Sequence, residues 1–238
     1  MLADSDDDGI TLKSTSPRLC ENIRISDCVV SSHCNAVKLG TETNGGFRNI
    51  SISGIVVKPS YDQREKFFGQ WIGSSALSLE IVDGGVMENV NVSDMTVEGT
   101  ESPIFVRLGH RGRGYREGQH IDQVGSIDGV SISNIRITKA GRYGCSITGL
   151  PGHPVRNVSL RNIHISHAGG FADAKELPAL TAAVADEKAA EYPESTMWGP
   201  LPAKGFYVRH ARSVHFDNVE VYTEQADARP DFVKEDVQ

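Results

Sequence analysis

Residues 87–97 read MENVNVSDMTV, and the same eleven-residue phrase occurs five more times: CENIRISDCVV (20–30), FRNISISGIVV (47–57), IDGVSISNIRI (127–137), VRNVSLRNIHI (155–165) and ARSVHFDNVEV (211–221). In every copy an apolar residue takes the fourth, sixth, ninth and eleventh places. The spacing of two within each pair is the period of a strand, not of a helix. The eighth place, between the pairs, is Asp, Asn or Gly. These residues tolerate left-handed backbone, so each copy predicts strand, sharp bend, strand. The Asn residues at the third place (Asn22, Asn49, Asn89, Asn157) and the eighth (Asn134, Asn162, Asn218) are expected to stack as hydrogen-bonded ladders inside the turns, an architectural role.

A second class of short strand lies between the copies, at 10–14, 36–40, 76–81, 104–108, 145–149 and 205–210. The copies start 27, 40, 40, 28 and 56 residues apart, so the unit is elastic and the surplus falls in loops. A fixed phrase on a variable period, with short strands and Gly/Asn turns, predicts an all-β chain. Its expected architecture is a parallel β-helix of about six coils, forming a single domain over 1–238. Two insertions interrupt it, at 58–74 with Phe67, Phe68 and Trp71, and at 169–204. The Ala/Glu/Lys-rich middle of the second, 173–191, is compatible with a short helix. Its end carries Trp198. From about 231 the chain reads as a frayed, acidic tail.

The net charge of −7 argues against a nucleic-acid partner, which needs a basic face. No stretch approaches the roughly 20 apolar residues of a membrane helix, so no membrane partner is expected. No secretory leader opens the sequence. Four cysteines without a C-x-x-C spacing predict neither a disulfide scaffold nor a zinc site, and no metal or other cofactor is expected.

A β-helix sheet lined by loops forms an elongated groove suited to a linear polymer. Asp7 and Asp8 enter the first short strand at the edge of such a groove. Adjacent carboxylates push their pKa values apart, which suits acid and base roles in glycoside hydrolysis. The same pair is also compatible with a charged strand entry or a calcium-like surface patch. Lys38, Glu42, Glu80 and Asp83 are further charged side chains of this region. His153, Tyr207, His210, Trp71 and Trp198 are candidates for contact with sugar or for packing.

DDDGITLKS (6–14) followed by CENIRISDCVVSSHCNAVKLGTETNGGFRNISISG (20–54) resembles glycoside hydrolase family 28, the polygalacturonases and rhamnogalacturonan hydrolases. SPIFVRLG (102–109) and ITGLPGHPVRNVSLRNI (147–163) extend the resemblance over most of the chain. It implies a right-handed parallel β-helix, inverting hydrolysis of a pectic polysaccharide or oligosaccharide by carboxylates, no metal, and an extracellular or periplasmic setting. Asp7 and Asp8 match the family's Asp-Asp pair, of which the first is the proposed acid and the second helps activate water. Lys13 matches its strand lysine. His33 or Cys34 takes the place of the G-H-G histidine. The family's R-I-K motif is replaced, with Ser78 and Glu80 where its Arg and Lys grip a uronate. Arg107, Arg111, Arg113 and Arg116 are the expected substitute clamp, and Lys38, Glu42 and Glu80 the other expected substrate contacts. The family's third Asp lies in an upstream N-T-D motif, so the resemblance implies missing N-terminal coils and possible self-association through an open first coil. A β-helical lyase using an arginine base and calcium, and a non-catalytic carbohydrate-binding or structural β-helix, are the competing readings.

Overall fold

The computed structural model describes residues 1–60, 71–173 and 186–238. Phe67, Phe68 and most of the 173–191 stretch expected to suit a helix lie outside the described residues. Thirteen strands form one sheet, wound almost closed around an axis, and every strand pairing is parallel. This is a parallel β-helix, and among the described residues no helix occurs.

The six repeats lie in six long strands: β3 (Cys20–Ser32), β5 (Gly46–Lys58), β7 (Val86–Glu98), β9 (Ser126–Ala140), β11 (Val155–His167) and the second part of β12 (Phe206–Thr223). Each copy bends at two places. The third-place residues Asn22, Asn49, Asn89, Gly129, Asn157 and Ser213 all have φ between 52° and 83°. The eighth-place residues Asp27, Gly54, Asp94, Asn134, Asn162 and Asn218 have φ between 51° and 65°. Asn and Asp adopt this region more readily than other side chains, because their short polar groups hydrogen-bond locally. The expected ladders form. Asn49 Nδ2 donates to Asn22 Oδ1 at 3.0 Å, and Asn89 Nδ2 to Asn49 Oδ1 at 2.8 Å. On the second line Asn134 donates to Asp94, Asn162 to Asn134 and Asn218 to Asn162, at 3.0–3.1 Å.

Register converts the repeat into four apolar columns. One runs Ile25, Ile52, Val92, Ile132, Leu160, Phe216; another runs Val30, Val57, Val97, Ile137, Ile165, Val221. Their middle members are buried, each contributing about 1.5–3 kcal/mol over an exposed position. The short strands β2 (Ile10–Ser14), β4 (Asn35–Thr43), β6 (Ser75–Ile81), β8 (Ile104–Leu108) and β10 (Cys145–Thr148) stack as a second ribbon that joins the start of β12.

Two strands have no counterpart in the expectation. β1 (Leu2–Ser5) pairs with β3, and β13 (Phe232–Val237) pairs with the first part of β12. The expected frayed tail is therefore largely a strand. Phe232 stacks on Phe206 and meets Phe216 edge-on, so three aromatic rings fasten it to the stack.

Candidate functional site

The outer face of the short-strand ribbon is not an open groove along its length. Every residue of β6, β8 and β10 is buried. Phe105 and Tyr207 point away from the central core and are covered by Trp198, Leu201 and Ala203 of the second insertion. Trp198 is thus an anchor for that segment, its indole N–H donating to the Asp186 carbonyl at 3.3 Å. Arg107, expected in a clamp, lies under the same cover and is 1% exposed. Its guanidinium stacks over Trp198 and donates to Thr148 and to the Gly149, Glu187 and Lys188 carbonyls. It serves packing there rather than facing a ligand.

At the N-terminal end of the ribbon the cover meets charge. Gly9 lets the chain turn from Asp8 into β2 at close quarters, since a Cβ there would stand 2.4 Å from Val30 Cγ1 and 2.7 Å from the Ala36 carbonyl oxygen. Its N–H donates to the Asn35 carbonyl. That turn sets Asp8 against β4. Asn35 Nδ2 donates to Asp8 Oδ1 at 2.8 Å and to Glu194 Oε2 at 3.4 Å. Lys38 Nζ stands 3.3 Å from Asp8 Oδ2 and 3.9 Å from Glu80 Oε1. It also donates to the Tyr192 hydroxyl at 3.2 Å. Ser75 holds Asn35 through its Oδ1, and Ser78 donates to Glu80 Oε1 at 2.6 Å. Glu80 Oε2 is buried without a hydrogen-bond partner among the described residues.

One ammonium therefore faces three carboxylates. Burial alone would lower the Lys38 pKa, but Glu80, Asp8 and Glu194 outweigh it and hold the ammonium well above its ordinary range. Burial pushes Glu80 up to about 8 against the opposing charge of Lys38. Burial also raises Glu194, again opposed by Lys38. The Cys34 thiol, pushed up to about 12 by burial and by the charges of Glu194, Asp7 and Asp8, is no nucleophile.

Asp7 and Asp8 are kept together by the turn, the Asp8 N–H donating to Asp7 Oδ1 at 2.8 Å, with Asp7 exposed and Asp8 partly buried. Neither His33 nor Cys34 hydrogen-bonds Asp8; they touch each other, Cys34 Sγ lying 3.5 Å from His33 Nε2. The residue that grips Asp8 from this turn is Asn35, two places beyond His33. Lys13 and Glu42 form an ion pair at 2.6 Å on the open flank. Burial would raise Glu42, but the hydrogen bond and charge of Lys13 outweigh it and hold the carboxyl below its ordinary range. Arg111 bonds both oxygens of the buried Asp83 and donates to Thr41. Arg113, 68% exposed, approaches Glu42 at 3.8 Å. The four arginines do not act as one cluster: Arg107 is sealed in, Arg111 is braced, and Arg113 and Arg116 face solvent. Tyr192, itself exposed, lies between Lys38 and Arg111, its ring 5.2 and 5.8 Å from their cationic centres.

Tyr207 is buried with its hydroxyl donating to Glu235, and His210 is held between Glu187 and Asp236. His153 is exposed in a tight turn closed by two backbone bonds with Leu150. Comparisons with protein-family models, with curated proteins and with solved structures find no match.

Proposed function

We propose that this chain is a glycoside hydrolase acting on a pectic polysaccharide, galacturonan or rhamnogalacturonan in type, as the resemblance of its 6–54 stretch to glycoside hydrolase family 28 implies. The observation that carries the reading is the Asp8 carboxylate gripped by Asn35 and Lys38, with the Glu194 carboxyl sharing the same amide donor. Glycosidases need one carboxyl that keeps its proton and one carboxylate that does not. A carboxylate bound to an ammonium and a carboxyl raised by burial supply that pair of conditions within one cluster. Inversion of anomeric configuration, the right-handed winding and work outside the cytoplasm belong to the same proposal. The exposed aromatic Tyr192, lying between Lys38 and Arg111, offers a stacking surface where a chain of sugars enters.

The test is reducing-end release from polygalacturonate and rhamnogalacturonan, with the anomer of the first product read by NMR. Hydrolysis abolished by Asp8→Asn supports the reading; no release from any pectic polymer refutes it. A second reading, non-catalytic glycan binding, draws on the burial of Lys38 and of most of the ribbon's outer face. It predicts oligosaccharide binding that survives Asp7→Asn and Asp8→Asn with no turnover.

A further inference from the structure

The outward tenth place of the repeat changes character along the stack. It is Val29, Val56 and Thr96 in the first three copies, and Arg136, His164 and Glu220 in the last three. Register sets Arg136 beside His164 and His164 beside Glu220, so these three form one row across β9, β11 and β12. Two residues further along the strands, Ser166 pairs with Tyr222, and Thr138 follows on β9. Together the six line a depression of about 380 Å³ on the outer face of the long strands. It is on a different wall from the short-strand ribbon that carries the Asp7–Asp8 turn.

Cross-strand pairing explains part of the row. Glu220 Oε2 accepts from the Tyr222 hydroxyl at 2.6 Å and lies 3.0 Å from His164 Nδ1. These two bonds hold the Glu220 carboxyl below its ordinary range, so it stays an acceptor. Pairing does not explain the groups left open. Glu220 Oε1, His164 Nε2 and the Arg136 guanidinium have no hydrogen bond or ion pair among the described residues. The Tyr222 hydroxyl, bonded two residues back along its own strand, ties down a ring that is 58% exposed beside them. Parallel strands lie roughly 4.8 Å apart, so Arg136 and Glu220 stand roughly 10 Å apart with the imidazole between them.

These groups define the ligand. A doubly charged anion such as phosphate would meet the Glu220 carboxylate, with a single arginine to offset the repulsion. An apolar ligand would leave three polar groups without partners. A hydroxyl-rich ring carrying one carboxylate satisfies all of them. Its carboxylate takes the forked donors of Arg136, its hydroxyls donate to Glu220 Oε1 and bond His164 Nε2, and its C–H face lies on the Tyr222 ring. We infer that this depression is a binding site for a uronic acid residue of an acidic oligosaccharide, separate from the Asp8 cluster. The site performs no chemistry, and it does not rest on the hydrolase reading: a hydrolase would use it to hold polymer, and a binding protein to recognise it.

The test is an NMR titration of the full 238-residue chain with trigalacturonate. It is run on the wild type and on Asp8→Asn, which stops turnover if the hydrolase reading holds. In both chains the Tyr222 ring and His164 imidazole signals should shift with one common dissociation constant. Galactotriose, with a hydroxymethyl group where each uronate has a carboxylate, should bind at least about 10-fold more weakly at these residues. Arg136→Gln should remove that preference. Tyr222→Ala should weaken both sugars by about 3- to 10-fold, whereas Tyr222→Phe, which keeps the ring, should retain most of the affinity. All three substitutions are at outward positions, and unchanged thermal melting checks that the stack is intact. No shift at Tyr222 and His164 with millimolar trigalacturonate overturns the inference. So does equal affinity for the two sugars that Arg136→Gln leaves unchanged. Shifts at these residues in a chain that hydrolyses no pectic polymer support the inference and refute the hydrolase reading, so the two fail separately.

Discussion

Along β7 buried and exposed side chains alternate, while along β6, its neighbour in sequence, every side chain is buried. The long-strand ribbons have one apolar face and one wet face, as a half-buried sheet should. Their outward positions carry Ser, Asn, Arg and Thr, and their coil-to-coil specificity comes from the Asn lines at the bends. The middle of the short-strand ribbon, β6, β8 and β10, is buried on both faces, by the central core within and by the 186–204 segment without. Among the described residues the ribbon's buried charges face partners: Lys38 with Asp8 and Glu80, Asp83 with Arg111, Arg107 with carbonyls and a tryptophan ring. The same β-helix thus keeps a wall that tolerates change and a wall where charge has been enclosed.

The contrast can be broken hardest at Lys38. Lys38→Met leaves Asp8, Glu80 and Glu194 without their cation and should cost about 3–5 kcal/mol of stability in denaturant melts. Adding Glu80→Gln should return part of that loss, and a double variant no better than the single one would refute the coupling. Phe105 and Thr96 both point outward, from the covered and the wet wall respectively. Phe105→Ala should cost about 3–5 kcal/mol, because it opens a cavity beneath Trp198. Thr96→Ala should stay within about 0.5 kcal/mol.

Proton linkage sharpens the contrast next. Glu80 holds its proton in the folded state up to about 8 against an ordinary value of 4.5, so its contribution is complete below 4.5 and lost as pH rises toward 8. Glu80→Gln should flatten that alkaline decline. His167, buried at the end of β11 with Nδ1 at the Gly141 carbonyl, is pulled down by burial to about 4. Its contribution is complete above 6.5 and lost as pH falls through 4, a change of about 3 kcal/mol. His167→Gln should flatten the acid decline over that window.

A smaller loss than at Lys38 or Phe105 is expected at the bends of the wet wall. Asn49→Ala forces a residue with a Cβ and no local hydrogen bond into φ 55° and removes two rungs, at a cost of about 1–2 kcal/mol. Asn49→Gly keeps the conformation and should lose less. If the alanine and glycine variants melt together, the left-handed bend is not what the asparagine supplies.

The wet wall was legible in the sequence almost residue by residue, because the fourth, sixth, ninth and eleventh places are filled by a local rule repeated six times. The short strands were legible to within a few residues for the same reason. The third place was read as a ladder position, and it proves to be a second bend as well. The covered wall was not legible, since its roof comes from far along the chain: Tyr192 reaches Lys38 across 154 residues and Glu194 reaches Asn35 across 159. Nothing local in PESTMW announces that its glutamate closes an acidic cluster. Nothing in SSHCN marks Asn35 over His33 as the partner of Asp8; the one usable signal is its position two residues before the apolar alternation of β4. Arg107 was misplaced because a guanidinium in a run of arginines reads as surface charge, whereas period two along VRL puts it under the roof.

The asparagine lines have a direction. In each rung the amide nitrogen belongs to the later turn of the chain and the oxygen to the earlier one. Each interior turn therefore offers acceptors on one side and donors on the other, like a brick with a stud and a socket. A second copy of residues 87–126 spliced in frame after 126 would meet matching groups above and below, and its four apolar places would fall into the existing columns. A chain built this way can lengthen by a whole turn without a new kind of junction, because each turn presents the same donors and acceptors to its neighbours.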